Sequence, residues 1–394
     1  MDRFGDKICC NPTVKLKKQE SYPVIDIDKI TPGYKAVRSV ASIEYTGQGG
    51  AKFQDHDVLF ARITPCLENG KMAIADTEGQ NGIGSTELFV FRGIDGVSDT
   101  DYVYYLLCMK HIRQLAANSM TGASGRQRAD LDFIKRIQWD FPDIEMQKKI
   151  ASVLSAYDNL IEVNNKRIKV LEQMAENLYK EWFVRFRFPG HEKADFENGI
   201  PKGWAYRRAD EVIDFNPTLK TGNQTEFTII PMEALSTNSM VLDSGCFVRQ
   251  DSISGRRSQN GDTLLAKITP CLENGKTGFV MGMPENEVLG GSTEFVVMRS
   301  KALTPHYVYC IARSYYFRQT AILSMNGADG RQRVDEDKLK STKILQPEKT
   351  VLDHFETIVT PIFDGVYQMV QENKNLIQQR DLLLPRLMSG KLEV

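Results

Sequence analysis

Laid on itself, the sequence repeats at an offset of 205 residues, and this duplication constrains the fold more than any other property of the chain. Asp57 to Lys71 reads DVLFARITPCLENGK and Asp262 to Lys276 reads DTLLAKITPCLENGK, so three of fifteen positions differ. The same offset lays Asn11-Pro12-Thr13 on Asn216-Pro217-Thr218, Tyr102-Val103-Tyr104 on Tyr307-Val308-Tyr309, and SMTGASGRQR at 119–128 on SMNGADGRQR at 324–333. A two-residue adjustment adds Gly84-Ser85-Thr86-Glu87 against Gly291-Ser292-Thr293-Glu294. A chain of 394 residues, long enough for two to three domains of roughly 150 residues each, is therefore predicted to hold two copies of one module.

Within a copy, DVLFARI and KMAIAD are strand-like runs flanking a turn that contains Asn69-Gly70, repeated at Asn274-Gly275. STELFVFR and STEFVVMR are further strands, while DYVYYLLCMKHIRQLAA and HYVYCIARSYYFRQTAI carry a helical period. Each module is thus expected to be mixed, α+β. The segment after each module differs in kind. Leu154, Tyr157, Ile161, Ile168, Leu171, Ala175, Leu178 and Trp182 fall on alternating four- and three-residue steps, with Asn164 at the one missing step. That is a coiled-coil seam, opened by Pro142-Asp143 and closed by Pro189-Gly190. After the second module Val351, Phe355, Ile358, Ile362, Val366, Met369, Leu376, Leu383 and Leu387 trace a similar seam, whose phase slips near Pro361 and Gly365, where a proline should bend the helix. A helix of some forty residues is roughly 60 Å long. Two of them packed antiparallel would place the modules at opposite ends of a rod with an approximate two-fold axis. On a duplex advancing about 34–36 Å per turn, such a rod would separate two half-sites by about one to two turns.

Composition narrows the chemistry. Fifty basic against fifty-one acidic side chains give a net charge of −1, so any polyanion must be met by a local patch. No apolar run approaches the roughly 18 residues of a membrane span, and Met1 to Cys10 lacks the apolar core of a secretory signal, so the chain is expected to stay in the cytoplasm. Seven cysteines without Cys-x-x-Cys spacing, and five histidines never at zinc-ligand intervals from them, predict reduced thiols and no structural metal. Pro65-Cys66 and Pro270-Cys271 could present a nucleophilic thiolate, but no glycine-rich cofactor cradle follows a strand, and Gly47 to Lys52 (GQGGAK) does not have Walker spacing. Both cysteines are expected to be small buried hydrophobes, and no catalytic residue is assigned.

The candidate ligand-binding residues are arginines. Arg126-Gln127-Arg128 and Arg331-Gln332-Arg333 each follow a loop glycine and offer two guanidiniums and an amide to phosphates or base edges. The alternative is pairing with Asp130, Asp132, Asp335 or Asp337. Arg256-Arg257 adds a basic turn peculiar to the second module. Residues identical in both modules cannot encode a difference between two target sequences, so they should position the backbone, leaving specificity to divergent stretches such as 36–55 against 241–260. Tyr179, Trp182, Phe183 and Phe186 form an aromatic stretch too rich for a two-helix rod to bury, and are expected to dock a partner.

The duplicated ITPCLENGK, GSTE and GRQR blocks, the long helix after each module and the closing RDLLLPRLMSGKL resemble the specificity subunit of type I restriction-modification systems. The resemblance covers nearly the whole chain: a first target recognition domain at 1–141, a first spacer helix at 142–188, a linker at 189–204, a second recognition domain at 205–345 and a second helix at 347–390. It implies a non-catalytic reader of double-stranded DNA whose two domains bind the halves of an asymmetric bipartite site, with antiparallel helices as the ruler. It also implies two modification subunits carrying S-adenosylmethionine and restriction subunits using ATP and Mg²⁺, with no cofactor in this chain and no membrane partner. Two rivals are a structural coiled-coil adaptor, which needs no duplicated mixed modules, and an autonomous methyltransferase, which needs cofactor motifs that neither copy contains.

Overall fold

The computed structural model describes every residue except Ser124 and Asp329. The chain forms two compact units, one of Met1–Val163 with Asn373–Val394, the other of Asn164–Glu372. Each unit contains one module with parts of two long helices, Ile144–Tyr179 and Lys349–Met388.

In the first unit a five-stranded sheet runs in the order Ile8–Cys10, Leu88–Gly93, Val58–Ala61, Met72–Asp76, Ala36–Arg38, antiparallel except for the last pair. Its central strands are apolar without interruption because both faces are covered. Val58, Phe60, Met72, Ile74, Phe89 and Phe91 face a core shared with helices Thr100–Cys108 and Lys110–Asn118 and with Leu154, Leu384 and Leu387 of the long helices. Their neighbours Leu59, Ala61, Ala73, Ala75, Leu88 and Val90 face a second core with Ile25 and Phe53, from a four-stranded sheet in the order Ala41–Glu44, Ser21–Ile25, Gly82–Gly84, Ala51–Phe53. The period of two thus sorts one strand's side chains between helices and sheet.

The second unit repeats this layering. Its sheets run Ile213–Phe215, Phe295–Ser300, Thr263–Ala266, Thr277–Phe279 and Val248–Gln250, Phe227–Ile230, Leu289–Gly291, Arg256–Ser258. Where the first module has the parallel strand Ala36–Arg38, the second has a single parallel bridge, Val241 to Phe279. Both sheets bury a bidentate ion pair at one position: Arg92 on Asp57 at 2.5 and 2.6 Å, and Arg299 on Asp262 at 2.8 and 2.6 Å. The Gln54 and Gln259 amides donate to the same carboxylates, completing the hydrogen bonding that makes a buried charge tolerable.

The hairpin expected around Asn69-Gly70 forms, with Val58 opposite Ile74 and Phe60 opposite Met72, but not through a two-residue turn. Ile63 to Lys71 make a compact loop in which Leu67, Asn69 and Lys71 donate backbone hydrogen bonds to Ile63, Pro65 and Cys66. Only the glycine of each Asn-Gly pair has positive φ, 72° at Gly70 and 81° at Gly275, so the mirror-image turn is not used. Cys66 and Cys271 are half-buried rather than fully buried.

In both units the long helices run antiparallel. Asp158 meets Arg380 in the first unit. In the second, Asn164 donates to Glu372 at 2.9 Å, Leu171 lies against Gly365, and Trp182 and Phe183 pack on Phe355. Every seam residue expected on the first helix is buried or half-buried, Asn164 included. The second helix continues unbroken through Pro361. Its most buried residues there are Leu352, Phe355, Val359, Phe363 and Val366, broader than the expected seam, because the helix packs against the module as well.

Candidate nucleic-acid interface

The three motifs that recur most faithfully converge on one place in each module. The loop carrying GRQR is a hairpin closed by reciprocal backbone hydrogen bonds, Thr121 with Arg128 at 3.0 and 2.9 Å and Asn326 with Arg333 at 2.9 Å both ways. Arg128 also bridges Ile63 of the ITPC segment, as Arg333 bridges Ile268. The Thr64 and Thr269 amides donate to the carbonyls of Gln127 and Gln332 at 3.0 and 3.1 Å. The glutamate of GSTE then fastens the knot. Arg128 reaches Glu87 at 2.5 to 3.1 Å and Arg333 reaches Glu294 at 2.7 to 3.0 Å, each through Nε and Nη2 together. The guanidinium beside each carboxylate holds Glu87 and Glu294 below the usual carboxylate range, the hydrogen bond being the larger cause.

The paired arginines of GRQR therefore have different jobs. Arg128 and Arg333 are clamped onto the glutamates, with their side chains still 42% and 51% exposed. Arg126 and Arg331 are exposed and have no ion pair among the described residues. Their backbones are fixed, since their amides donate to Ala123 and Ala328 at 3.0 Å and Gly125 and Gly330 share a φ of 79° that favours glycine. The aspartates considered as alternative partners do not take these arginines. Asp130 and Asp335 cap the short helices Leu131–Lys135 and Glu336–Ser341, while Asp132 and Asp337 pair with Lys135 and Lys340.

The expected basic turn at Arg256-Arg257 is instead the strand Arg256–Ser258, with Arg256 opposite Gly291. Arg256 and Lys267 share Glu336 at 2.8 and 2.9 Å, and Arg257 donates to the Leu219 carbonyl, so both arginines are half-buried and engaged. The first module reaches a similar balance by other residues. Arg62 and Arg128 share one carboxylate, Glu87, with the Arg62 guanidinium also over the Phe89 ring at 5.4 Å. Arg256, Lys267 and Arg333 face two, Glu294 and Glu336. Each knot carries one cation in excess, beside its exposed arginine.

The aromatic stretch assigned to a partner is largely taken up within its own unit. Trp182 and Phe183 lie on a single π turn, Lys180–Val184, and are buried. Phe183 packs on Tyr307 at 4.5 Å and Phe355 at 5.0 Å, Trp182 meets His354 and Phe355, Tyr179 lies against Tyr307, and Phe186 against Trp204. The expectation counted only the burial that a second helix offers. The module supplies the rest through Trp204 and Tyr307.

The family described as "Type I restriction modification DNA specificity domain" matches residues 8–173, a span that includes the first copy of all three motifs. Similar curated proteins include two specificity subunits from Methanocaldococcus jannaschii. That of type I restriction enzyme MjaIX is 25% identical over 77% of this chain and 72% of its own length. That of MjaVIII is 23% identical over 100% of this chain and 92% of its own. The chain is thus similar to type I restriction-modification specificity subunits, through the family match at residues 8–173 and through these relatives over most of its length. The crystal structure of the S subunit from M. genitalium shares its fold, with a TM-score of 0.56 at 14% identity over 98% of this chain and 94% of that one. The chain contains two motif knots, of which the family match spans the first and the duplication supplies the second. The signal that Glu87 partners Arg128 was present in the sequence. Glutamate and arginine recur together in both copies, 41 and 39 residues apart, although nothing local requires either.

Proposed function

We propose that this specificity subunit reads a bipartite DNA site, one half per module, through knots that meet phosphates and through divergent strands that meet bases. The observation that carries the reading is the knot itself, built twice from the same three motifs, each time leaving one exposed arginine on a fixed loop with no ion pair among the described residues. Phosphate contacts position a protein on DNA without encoding sequence, which suits residues common to both modules. The stretches that differ, 36–55 and 241–260, include the exposed strands Ala41–Glu44 and Val248–Gln250.

The chain is non-catalytic and acts with modification and restriction subunits, as its relatives' designation as specificity subunits indicates. On our reading the methyl donor belongs to two modification subunits, and ATP with Mg²⁺ to the restriction subunits. The long helices set the half-site spacing as an antiparallel coiled-coil ruler with an approximate two-fold axis.

Methylome sequencing of cells expressing the chain with its modification partner tests this. A split, asymmetric methylated motif that disappears without the chain is expected, and unchanged methylation with an active partner would refute it. Within the complex, R126A with R331A should weaken binding to all duplexes alike and lower the salt slope by about 2, one per lost contact.

A further inference from the structure

Both knots place a half-buried glutamate on a surface that the proposed function turns toward phosphates. By charge alone that is unfavourable, since a carboxylate near a polyanion repels it. The geometry offers a reason. Each loop is tied down on the module side by backbone hydrogen bonds from Thr64 or Thr269 and by the Ile63–Arg128 or Ile268–Arg333 bridge. On the side-chain side, the bidentate glutamate is the only carboxylate holding the second arginine of the loop among the described residues. A fork-to-carboxylate contact fixes direction as well as distance.

We propose that Glu87 and Glu294 are positioning residues for DNA binding: each clamps the second arginine of its loop and thereby keeps the loop in the shape that presents Arg126 or Arg331 to solvent. The inference rests on the reading that these loops meet phosphates. It adds that the acidic residue of GSTE strengthens binding to a polyanion. The clamp has to be the same in both modules because the contact it aims is independent of sequence.

The test depends on a sign. Affinity for a labelled duplex of mixed sequence is measured against salt for the full chain in complex with its modification subunits, alongside melting temperature. Removing a carboxylate near phosphates tightens binding if charge alone matters. The positioning role predicts that E87Q with E294Q weakens it by about tenfold, with a shallower salt slope. R128K with R333K keeps every charge but loses the fork, and should weaken binding in the same direction. Tighter or unchanged binding by the glutamine variant overturns the proposal. Should that variant melt below the assay temperature, the lysine variant decides, and unchanged binding there overturns it as well. Unchanged binding by R126A with R331A removes the phosphate-contact reading itself. Weaker binding by that pair, with no loss in the other two, rejects the clamp alone.

Discussion

At the scale of single residues, equivalent positions carry different chemistry in the two modules. Asp101 in the first corresponds to His306 in the second. Asp101 holds Lys35 at 2.6 Å and His56 at 3.4 Å, whereas His306 meets Glu356 of the second long helix at 2.7 Å. Burial pushes the Asp101 carboxyl up, but hydrogen bonding from His56 and the Lys35 charge outweigh it and bring it down to about 2. Hydrogen bonding to Asp101 in turn raises His56 above its ordinary value of 6.5, against the opposing effects of burial and Lys35. A raised histidine stabilises the fold below its unfolded pKa, and that contribution fades as pH rises through the folded value. H56Q should therefore be less stable than the parent chain below the ordinary histidine value of 6.5, with the difference shrinking as pH rises above it, measured by urea unfolding. A difference that stays constant as pH rises would show that the contact is not ionic.

At the scale of elements, the buried links between modules and helices carry the largest single-site effects. In the first unit Asp158 accepts from Arg380 and from the Tyr105 hydroxyl, both at 2.5 Å, and Arg380 also reaches the Gly33 carbonyl at 3.2 Å. R380M would strand the Asp158 charge and should cost about 3–5 kcal/mol in chemical denaturation. In the second unit W182A should cost about 3–5 kcal/mol, whereas a residue exposed for a partner would leave the isolated chain's stability nearly untouched. These elements also show how far the sequence was legible. The period of Leu154, Ile161, Ile168 and Ala175 declared one apolar face, and that face is buried. Leu352, Val359 and Phe363 were missed because a helix packed on two sides shows two overlapping stripes, and a one-dimensional pattern records their sum. The knot was half legible. The GRQR and GSTE blocks stood out by recurrence, but their ion pair joins residues 41 apart and arises from sheet order, not local spacing.

At the scale of the whole molecule, the duplication makes each module's contribution separable. Replacing 241–260 with the same stretch of a relative should change one half of the methylated motif and leave the other intact. A change in both halves would contradict the reading of one module per half-site. The compact units do not coincide with the repeat boundaries, however. Asn164–Glu372 is contiguous in sequence, but the first unit needs Leu384, Leu387 and Met388 to close the core around Leu154 and Phe60. During synthesis at about 5–20 residues per second, the earlier-made module therefore waits on the order of tens of seconds for its last core residues to leave the ribosome. The later-made unit has its full complement first, reversing the usual N-terminal order of folding and leaving Phe60, Phe89 and Tyr102 in need of shelter while the rest of the chain is made.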